Sequence, residues 1–398
     1  MSPNHSISET SKLRNFLISL SFAFYFSKPA LRHIEEFIIG AVQFGYRGKV
    51  MDLVTLSHAV CHRTTYGKFL SQGAWNEEYV WRSIRKQSVQ LVYQEARKHG
   101  VPLFVIHDDT IAEKTKPSSQ AKSPIEKAQF HQSHLDHRKV WGHQLLTTML
   151  SCNGKLVPYV MERYERERES KIDIVCRIVE SLPVATGATY GLCDSWFTCQ
   201  RVIEAHWKRG FHVIGGLKTN RVIYPKGVRI QIKEFAQYIK KTDVHLVTVG
   251  RKAYWVYRHE GALNGVDDAV VVLCWPKNAF HKPGCLHAFL STDTELTTQT
   301  LLEYYSQRWP IEIFFRQSKG NFGLNTYQVR SAQAIDRILA LIALTYLYCV
   351  IGTGSYCPLG RRLKEVRASS QRDKVAMIYN AAKNNVPLTE IFLKLKIA

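Results

Sequence analysis

The spacing of hydrophobic residues predicts helices at the start of the chain. Residues 12–99 place apolar side chains at the 3.6-residue period of a helix, with breaks near Pro29, the sequence GYRG and Gly73. The segment WNEEYVWRSIRKQSVQLVYQEARKHG ends in Lys-His-Gly, which is typical of a helix end. Residues 1–100 are therefore predicted to form a small helical domain.

The pattern changes at residue 101 to short apolar runs that predict β-strands. The run VPLFVIHDD ends in two acids, and the runs at 140–150 and 155–164 are joined by the turn sequence SCNG. A helical pattern at about 169–182 precedes the strand-like ATYGLCDSW, the helical SWFTCQRVIEAHWKRG and the strand-like FHVIGGLKTN. Strands that alternate with helices in this way predict a mixed α/β sheet.

The rest of the chain predicts two further units. Residues 225–296 are rich in β-forming residues and turns, and we expect them to form a separate β-rich insertion domain of about 70 residues. A helix near Thr297 returns the chain to the sheet. The α/β core is therefore predicted to consist of residues 101–224 and 297–350, followed by a basic helical tail at 351–398.

Charge indicates the class of partner. The chain of 398 residues has a formal net charge of +21. Residues 1–100 hold 13 Lys and Arg against 7 Asp and Glu, and residues 316–398 hold 13 against 4. Basic ends around a more balanced centre indicate that the chain binds a polyanion, and nucleic acid is the leading candidate.

Cysteine usage and the length of the apolar runs indicate the compartment. The nine cysteines form no C-x-x-C pair, which is typical of reduced thiols in the cytoplasm. The N-terminus lacks the regions of a signal peptide. The longest apolar runs, at 16–26 and 338–351, are shorter than the roughly 20 residues needed to cross a bilayer. We expect buried helices there, and a cytoplasmic, nucleoid-associated protein without membrane contact.

The order of strands and acids suggests how the sheet is arranged. A strand with an acid at its end, a hairpin, a helix and a second strand with an acid resemble the ribonuclease-H-like arrangement. In that arrangement the first and fourth strands are neighbours. Asp109 and Asp194 are then expected to face each other.

A stripe of charged side chains is predicted on the helix that follows Thr297. If that helix is continuous, Tyr305, Arg308, Glu312 and Lys319 lie within a sector of about 60°. Such a stripe is unfavourable to bury unless it meets a divalent cation or phosphates. Proline at position 310 is expected to kink the helix or to begin a new one.

These residues carry a resemblance to a known family. The pattern Y-x2-R-x3-E-x6-K at 305–319 resembles the YREK signature of the Asp-Asp-Glu (DDE) transposases of bacterial insertion sequences, in the group with a β insertion. IHDDT resembles that group's first-Asp motif, in which the acid precedes a Thr, so Asp109 is preferred over Asp108. GLCDSWF resembles the second-Asp motif and indicates Asp194. GLKTNR and NFGLNTYQVRS also resemble segments of the family.

The resemblance implies a metal-dependent reaction on double-stranded DNA. Asp109, Asp194 and Glu312 would hold two Mg²⁺ ions about 3.5–4 Å apart, with Mn²⁺ as a substitute. The enzyme would cut at the terminal inverted repeats of an element and join the freed 3′-hydroxyls to target DNA. Such enzymes generally act as homodimers.

The same resemblance implies DNA contacts around the acids. Arg308 and Lys319 would contact phosphates near the cleaved end, and Tyr305 would hold the DNA backbone or brace the helix. A flipped base would need an aromatic partner, for which the candidates are Trp255, Trp275 and Trp309.

Two basic residues at the end of a predicted strand are further candidates for contact with DNA. Lys218 and Arg221 lie in GLKTNR, beside the expected active centre. They either bind phosphates or are the solvated end of the strand.

Three alternatives accompany this interpretation. His131, His134, His137 and His143 could suggest zinc, although their spacing is not that of a zinc finger and a polar loop is the stronger interpretation. A domesticated nuclease that cuts host DNA would keep the same acids. A DNA-binding regulator that has lost its chemistry is the third possibility, but no acid of the motif is missing.

Overall fold

The computed structural model describes residues 9–52, 62–133, 137–263 and 265–395. The helices within these ranges are α1 (Glu9–Ser19), α2 (Phe22–Tyr25), α3 (Lys28–Phe44), α4 (Arg63–Ser71), α5 (Glu77–His99), α6 (Lys171–Ser181), α7 (Gln200–Trp207), α8 (Ile232–Phe235), α9 (Thr298–Ser306), α10 (Pro310–Phe322), α11 (Ala332–Ile351), α12 (Leu359–Lys383) and α13 (Leu388–Leu395). Short 3-10 helices lie at Pro225–Gly227, Ala236–Tyr238 and Lys241–Asp243.

The strands of the described residues are β1 (Leu103–Glu113), β2 (Gln129–Ser133), β3 (Arg138–Cys152), β4 (Lys155–Arg163), β5 (Thr189–Cys193), β6 (His212–Leu217), β7 (Val222–Ile223), β8 (Ile230–Gln231), β9 (His245–Val249), β10 (Lys252–Leu263), β11 (Val266–Pro276) and β12 (His287–Ser291). They form one mixed sheet in the order β2-β3-β1-β5-β6-β12-β11-β10-β7-β8, in which β4 also pairs with β3 and β9 with β10. The predicted α/β class is confirmed.

Local signals begin and end several elements where the sequence indicated. Asn76 caps α5 by accepting a hydrogen bond from the amide of Glu78 at 2.8 Å, and Gly100 ends that helix with a φ of 62°. Asn153 and Gly154 adopt φ values of 50° and 73° in the turn between β3 and β4. Positive φ at both central residues suits the twist of a tight hairpin.

The central strands have the predicted neighbours. β1 pairs antiparallel with β3 on one side and parallel with β5 on the other, and β5 pairs parallel with β6. The strand that begins the core therefore lies directly beside the strand that leads into Asp194. Parallel strands end at the same edge of a sheet, so the residues that follow them meet there.

The β-rich segment forms strands as predicted, but it does not form a sheet of its own. β12 pairs antiparallel with β6, and β11 and β10 follow in the same sheet. Pairing with β12 covers an edge of β6 that would otherwise expose unpaired backbone groups. A second apolar core, which includes Val271, Leu273 and Trp275, supports this half of the sheet.

The helix that follows Thr297 is interrupted. α9 ends at Ser306, residues 307–309 form a turn, and α10 begins at Pro310. The condition of one continuous helix, under which the four side chains share one stripe, is therefore not met, and the alternative that proline begins a new helix is confirmed. Proline suits the first helical position because its missing amide hydrogen has no partner there in any helix.

Helix α11 is the central helix of the structure. Among the described residues it is the one helix that is long and apolar enough to cross a membrane, but 89% of its apolar window is buried inside the protein. It packs against α5 and β4. It is therefore a core helix, as the sequence predicted for residues 338–351.

Arg337 ties α11 to the N-terminal helices. Its buried guanidinium donates to the carbonyls of Leu70 at 2.9 Å and Gly73 at 2.8 Å, and also to that of Trp75. The guanidinium carbon lies 4.5 Å from the centre of the Trp75 indole ring. Leu70 lies in the last turn of α4, and Gly73 and Trp75 follow its end, where the helix itself supplies no donors.

We expect Arg337→Met to lower the free energy of unfolding by about 3 kcal/mol, because it leaves several buried carbonyls without donors. The exposed Arg361→Met on α12 is the matched control and should change it by less than about 0.5 kcal/mol. Urea denaturation followed by circular dichroism measures both. Equal midpoints for the two variants would contradict this role of Arg337.

Candidate active site

The two adjacent acids of β1 point to opposite faces of the sheet. Asp109 accepts a hydrogen bond from Lys171 of α6 at 2.7 Å, whereas Asp108 accepts one from Arg308 at 2.6 Å. His107, which shares the face of Asp109, contacts His206 of α7 at 3.3 Å. Successive side chains of a strand alternate between its faces, so only one of the two acids can lie on the side of α9 and α10.

Arg308 joins two acids that are far apart in sequence. Its Nη1 donates to Oδ2 of Asp108 at 2.6 Å, and its Nη2 donates to Oε1 of Glu312 at 2.7 Å. Arg308 lies in the turn before α10 and Glu312 in the first turn of that helix. A planar guanidinium has the forked donors that such a bridge requires.

Asp194 lies beside Asp108 at the same edge of the sheet. The last paired positions of β1 and β5 are Ile106 and Leu192, and each acid follows two residues later on the same face of its strand. Oδ1 of Asp194 accepts the backbone amides of Trp196 at 2.9 Å and Phe197 at 3.1 Å. These two bonds orient the carboxylate and form the turn that leads into α7.

Tyr305 lies near the end of α9 and packs against β12. Its ring packs against Phe289 of β12, with the ring centres 4.5 Å apart. A side chain at Gly216 would place its Cβ 3.1 Å from the Tyr305 hydroxyl and 3.1 Å from the amide nitrogen of Ser195. Glycine at 216 therefore permits α9 to approach the loop that carries Asp194, and this accounts for the glycine of the GLKTNR motif.

The acids carry a local excess of negative charge. Burial raises the pKa of Asp108 from 3.8 to about 7; the Arg308 guanidinium opposes this rise, and the nearby Asp194 adds to it. Burial lowers the pKa of Arg308, but Asp108 and the other surrounding acids outweigh burial and raise it above its usual range. Arg308 therefore remains charged, and a further positive charge beside Asp108 would stabilise its ionised form.

The other residues of the predicted stripe lie on either side of Glu312. Lys319 lies two turns further along α10 on the same face, about 10 Å along the axis. Trp309 lies immediately before α10, and 57% of its surface is exposed. The structure therefore brings Arg308 and Glu312 together and places an exposed indole next to them.

The two basic residues after β6 differ in their contacts. Nη2 of Arg221 donates to the carbonyl of Thr198 at 3.0 Å, and the hydroxyl of Thr198 donates to the carbonyl of Asp194 at 2.8 Å. Lys218 is exposed. Arg221 thus supports the loop that holds Asp194, a role that the sequence did not indicate.

The two tryptophans of the insertion occupy opposite positions on β10 and β11. Trp275 is only 2% exposed and packs against Phe280, so its ring is part of the second core. Trp255 is half-buried, and its Nε1 donates to the carbonyl of Lys277 at 3.0 Å. Of the three candidate tryptophans, Trp309 is the most exposed.

The histidines of the possible zinc site have other partners. His143 is buried, with Nδ1 2.7 Å from the Tyr327 hydroxyl and Nε2 2.9 Å from the carbonyl of Glu126. His131 is buried on β2, and His134 lies outside the described residues. No group of three or more His, Cys, Asp or Glu side chains within the described ranges is close enough to hold a metal ion.

Comparison with known families agrees with this arrangement. The model of the transposase DDE domain family matches residues 99–348, which include both β1 and α10. The chain belongs to this transposase family. A search of curated proteins gave no match. Membership implies an enzyme that cuts or joins nucleic acid, with DNA as its partner.

The donor atoms present fit a divalent cation. Carboxylate oxygens are the ligands that Mg²⁺ and Mn²⁺ prefer. The raised pKa of Asp108 marks a buried acid whose negative charge is not fully compensated. In the described structure Asp108, Asp194 and Glu312 are not close enough to hold an ion together. These acids would have to approach one another once Arg308 releases the oxygens that it now occupies.

The sequence did not indicate every residue at this edge of the sheet. Asp109, which was preferred as the first acid, lies with Lys171 on the face covered by α6 and α7. Lys171 and Trp196 were not predicted, although Trp196 lies two residues after Asp194 in a quoted motif. An aromatic residue beside a motif acid was the only available signal.

Asp108 should destabilise the metal-free protein above neutral pH. Its folded-state pKa of about 7 exceeds 3.8, so the free energy of unfolding falls as pH rises from 3.8 through about 7 and the buried carboxyl loses its proton. Asp108→Asn removes this loss. We expect its melting temperature in EDTA at pH 8 to exceed that of the unchanged protein by about 2 °C, with a smaller gain at pH 5.

The matched control is Asp109→Asn, which breaks the ion pair with Lys171 and should give no gain at either pH. Differential scanning fluorimetry measures all three proteins. A lower melting temperature for Asp108→Asn at pH 8 would show that the ion pair with Arg308 outweighs the burial of the acid.

Proposed function

We propose that the protein is a DNA transposase of the YREK-signature group that cuts the ends of an insertion sequence and joins them to target DNA. The single observation that carries this proposal is the bridge from Arg308 to both Asp108 and Glu312. It connects the first-Asp motif with the YREK motif through side chains rather than through sequence order alone. The family match supports the same reaction class.

The proposed catalytic acids are Asp108, Asp194 and Glu312. Asp108 replaces the Asp109 preferred from the sequence, because Asp108 shares a face with Glu312 and lies on β1 two residues past the last pair with β5, as Asp194 does on the β5 side. These acids would hold Mg²⁺, or Mn²⁺ in its place. Two such ions supply charge stabilisation to the attacking and leaving oxygens of an in-line displacement.

The basic residues around the acids would bind the DNA backbone. When a phosphate enters, the forked donors of Arg308 can move from the carboxylates to the phosphate oxygens, which leaves the acids free. Lys319 would contact a neighbouring phosphate from the same face of α10, and Lys218 and Arg221 would contact DNA at the end of β6. Tyr305 would keep Arg308 in position, because its ring fills the space between β12 and the turn.

The remaining parts of the chain would hold the ends of the element. We propose a ribonuclease-H-like core, a helical DNA-binding domain at residues 1–100, the β-rich insertion at 225–296 and a basic tail at 351–398. The substrates would be the terminal inverted repeats and target DNA, bound by a homodimer in the cytoplasm at the nucleoid. Phosphate contacts would dominate affinity, which should fall steeply with salt.

The test is excision from a plasmid that carries the native flanking DNA of the gene around a marker, with Mg²⁺. Asp108→Asn, Asp194→Asn and Glu312→Gln should each reduce excision by more than about 100-fold, since loss of a residue that merely supports a metal ligand reduces activity by about 10–100-fold. Asp109→Asn should reduce it far less. The exposed Asp267→Asn in the insertion is the neutral control.

Other outcomes would identify the alternatives. Specific binding of the ends without excision by any protein would indicate a regulator, and cleavage of host DNA without insertion would indicate a domesticated nuclease. Loss of excision in Asp109→Asn but not in Asp108→Asn would return the first-acid role to Asp109.

A further inference from the structure

A second polar group lies at the same edge of the sheet, on the face opposite Arg308. Lys171, the first residue of α6, donates to Oδ2 of Asp109 at 2.7 Å. Its Nζ also lies 4.0 Å from the centre of the Trp196 indole ring. We call Trp196 and Lys171 the α6-face platform. The proposed chemistry at Asp108, Asp194 and Glu312 does not use it.

Trp196 is exposed although the neighbouring aromatic residue is buried. Phe197 is 1% exposed and belongs to the core, whereas Trp196 retains 38% of its surface in solvent. The Asp194 carboxylate accepts the backbone amides of both residues, so the acid fixes the turn from which the indole projects. An exposed indole on a turn held by a candidate catalytic acid is well placed to contact a substrate bound at that acid.

Lys171 supplies positive charge over one face of the indole. Its ammonium has three donors, and the contact with Asp109 requires only one of them. The ring stabilises the cation through its face. The exposed Arg166 and Lys171 both act electrostatically on His131, so a second cation lies on this side of the sheet. Indole and ammonium together match an aromatic base and its phosphate.

The reaction requires contacts on both sides of the phosphate that is attacked. In an in-line displacement the attacking and leaving oxygens lie on opposite sides of the phosphorus. Arg308, Trp309 and Lys319 lie on the α10 side of the acids. DNA that continues past the acids toward α6 would meet the α6-face platform, where Lys171 and Trp196 lie.

We propose that the α6-face platform binds an unpaired nucleotide of the DNA substrate, with the base stacked on the face of the Trp196 indole that Lys171 does not cover and its phosphate contacted by Lys171. This inference rests on the proposed function and adds a second DNA subsite to it. Stacking on an exposed aromatic side chain selects unpaired bases over paired ones, since the faces of paired bases are covered by their neighbours.

The experiment measures binding of fluorescein-labelled DNA to the full-length protein in EDTA, so that cleavage does not interfere. The probes are a single strand of about 16 thymidine nucleotides and a duplex of the same length, followed by fluorescence anisotropy. We expect Trp196→Ala to weaken binding of the single strand by about 10-fold or more and to change duplex binding by less than about 2-fold.

Two variants separate stacking from loss of structure. Trp196→Phe keeps an aromatic face and should restore most of the single-strand affinity. Trp207→Ala, at the end of α7, removes an indole that is 43% exposed and should leave both affinities unchanged. Lys171→Gln should reduce the dependence of single-strand binding on salt by about 0.7 in the log–log slope, as expected for one lost phosphate contact.

The outcomes distinguish this proposal from the proposed function. Unchanged single-strand affinity in Trp196→Ala, or failure of the intact protein to bind the single strand while it binds the duplex, overturns the platform alone. Equal weakening of both probes also overturns it, because the effect is then not selective for unpaired bases. Failure of the intact protein to bind either probe overturns both the platform and the transposase.

Discussion

The parallel pairing of β1 with β5 is the constraint on which the rest of the site depends. The register that pairs Ile106 with Leu192 carries Asp108 and Asp194 to the same edge and the same face of the sheet. A shift of one residue would send one acid to the opposite face, because side chains alternate along a strand. The apolar residues that precede each acid are buried on both strands, so the core itself holds this register.

Asp108 and Asp194 at one edge of the sheet need compensating positive charge. Arg308 supplies it, although it is distant from both acids along the chain. The turn before Pro310 separates α9 from α10 and places the guanidinium between Asp108 and Glu312. The interruption that breaks the predicted stripe therefore also positions its central cation. The raised pKa of Asp108 shows that one guanidinium does not compensate the burial fully. A site of this kind gives up stability in favour of binding.

Support for the acids comes from parts of the chain that the sequence suggested were independent. β12 of the insertion extends the core sheet and supplies Phe289, on which Tyr305 packs. Arg337 on α11 binds carbonyls in the last turn of α4 and just after it, and so joins the N-terminal helices to the core. The insertion and the helical ends thus belong to one packed structure around the strands that carry the acids.

The sequence by itself determined the elements and the motif residues, because periodicity, caps and turn residues act over a few neighbouring positions. It indicated α5, the hairpin of β3 and β4, and the proximity of Asp194 to the first-Asp motif. It preferred Asp109 over Asp108 through the motif resemblance, although the strand pattern alone fits both acids, which differ in the face that they occupy. That choice, together with the pairing of Lys171 and Trp196, depends on which helices cover each face of the sheet. Only the tertiary structure sets this, because packing brings together side chains that are distant along the chain.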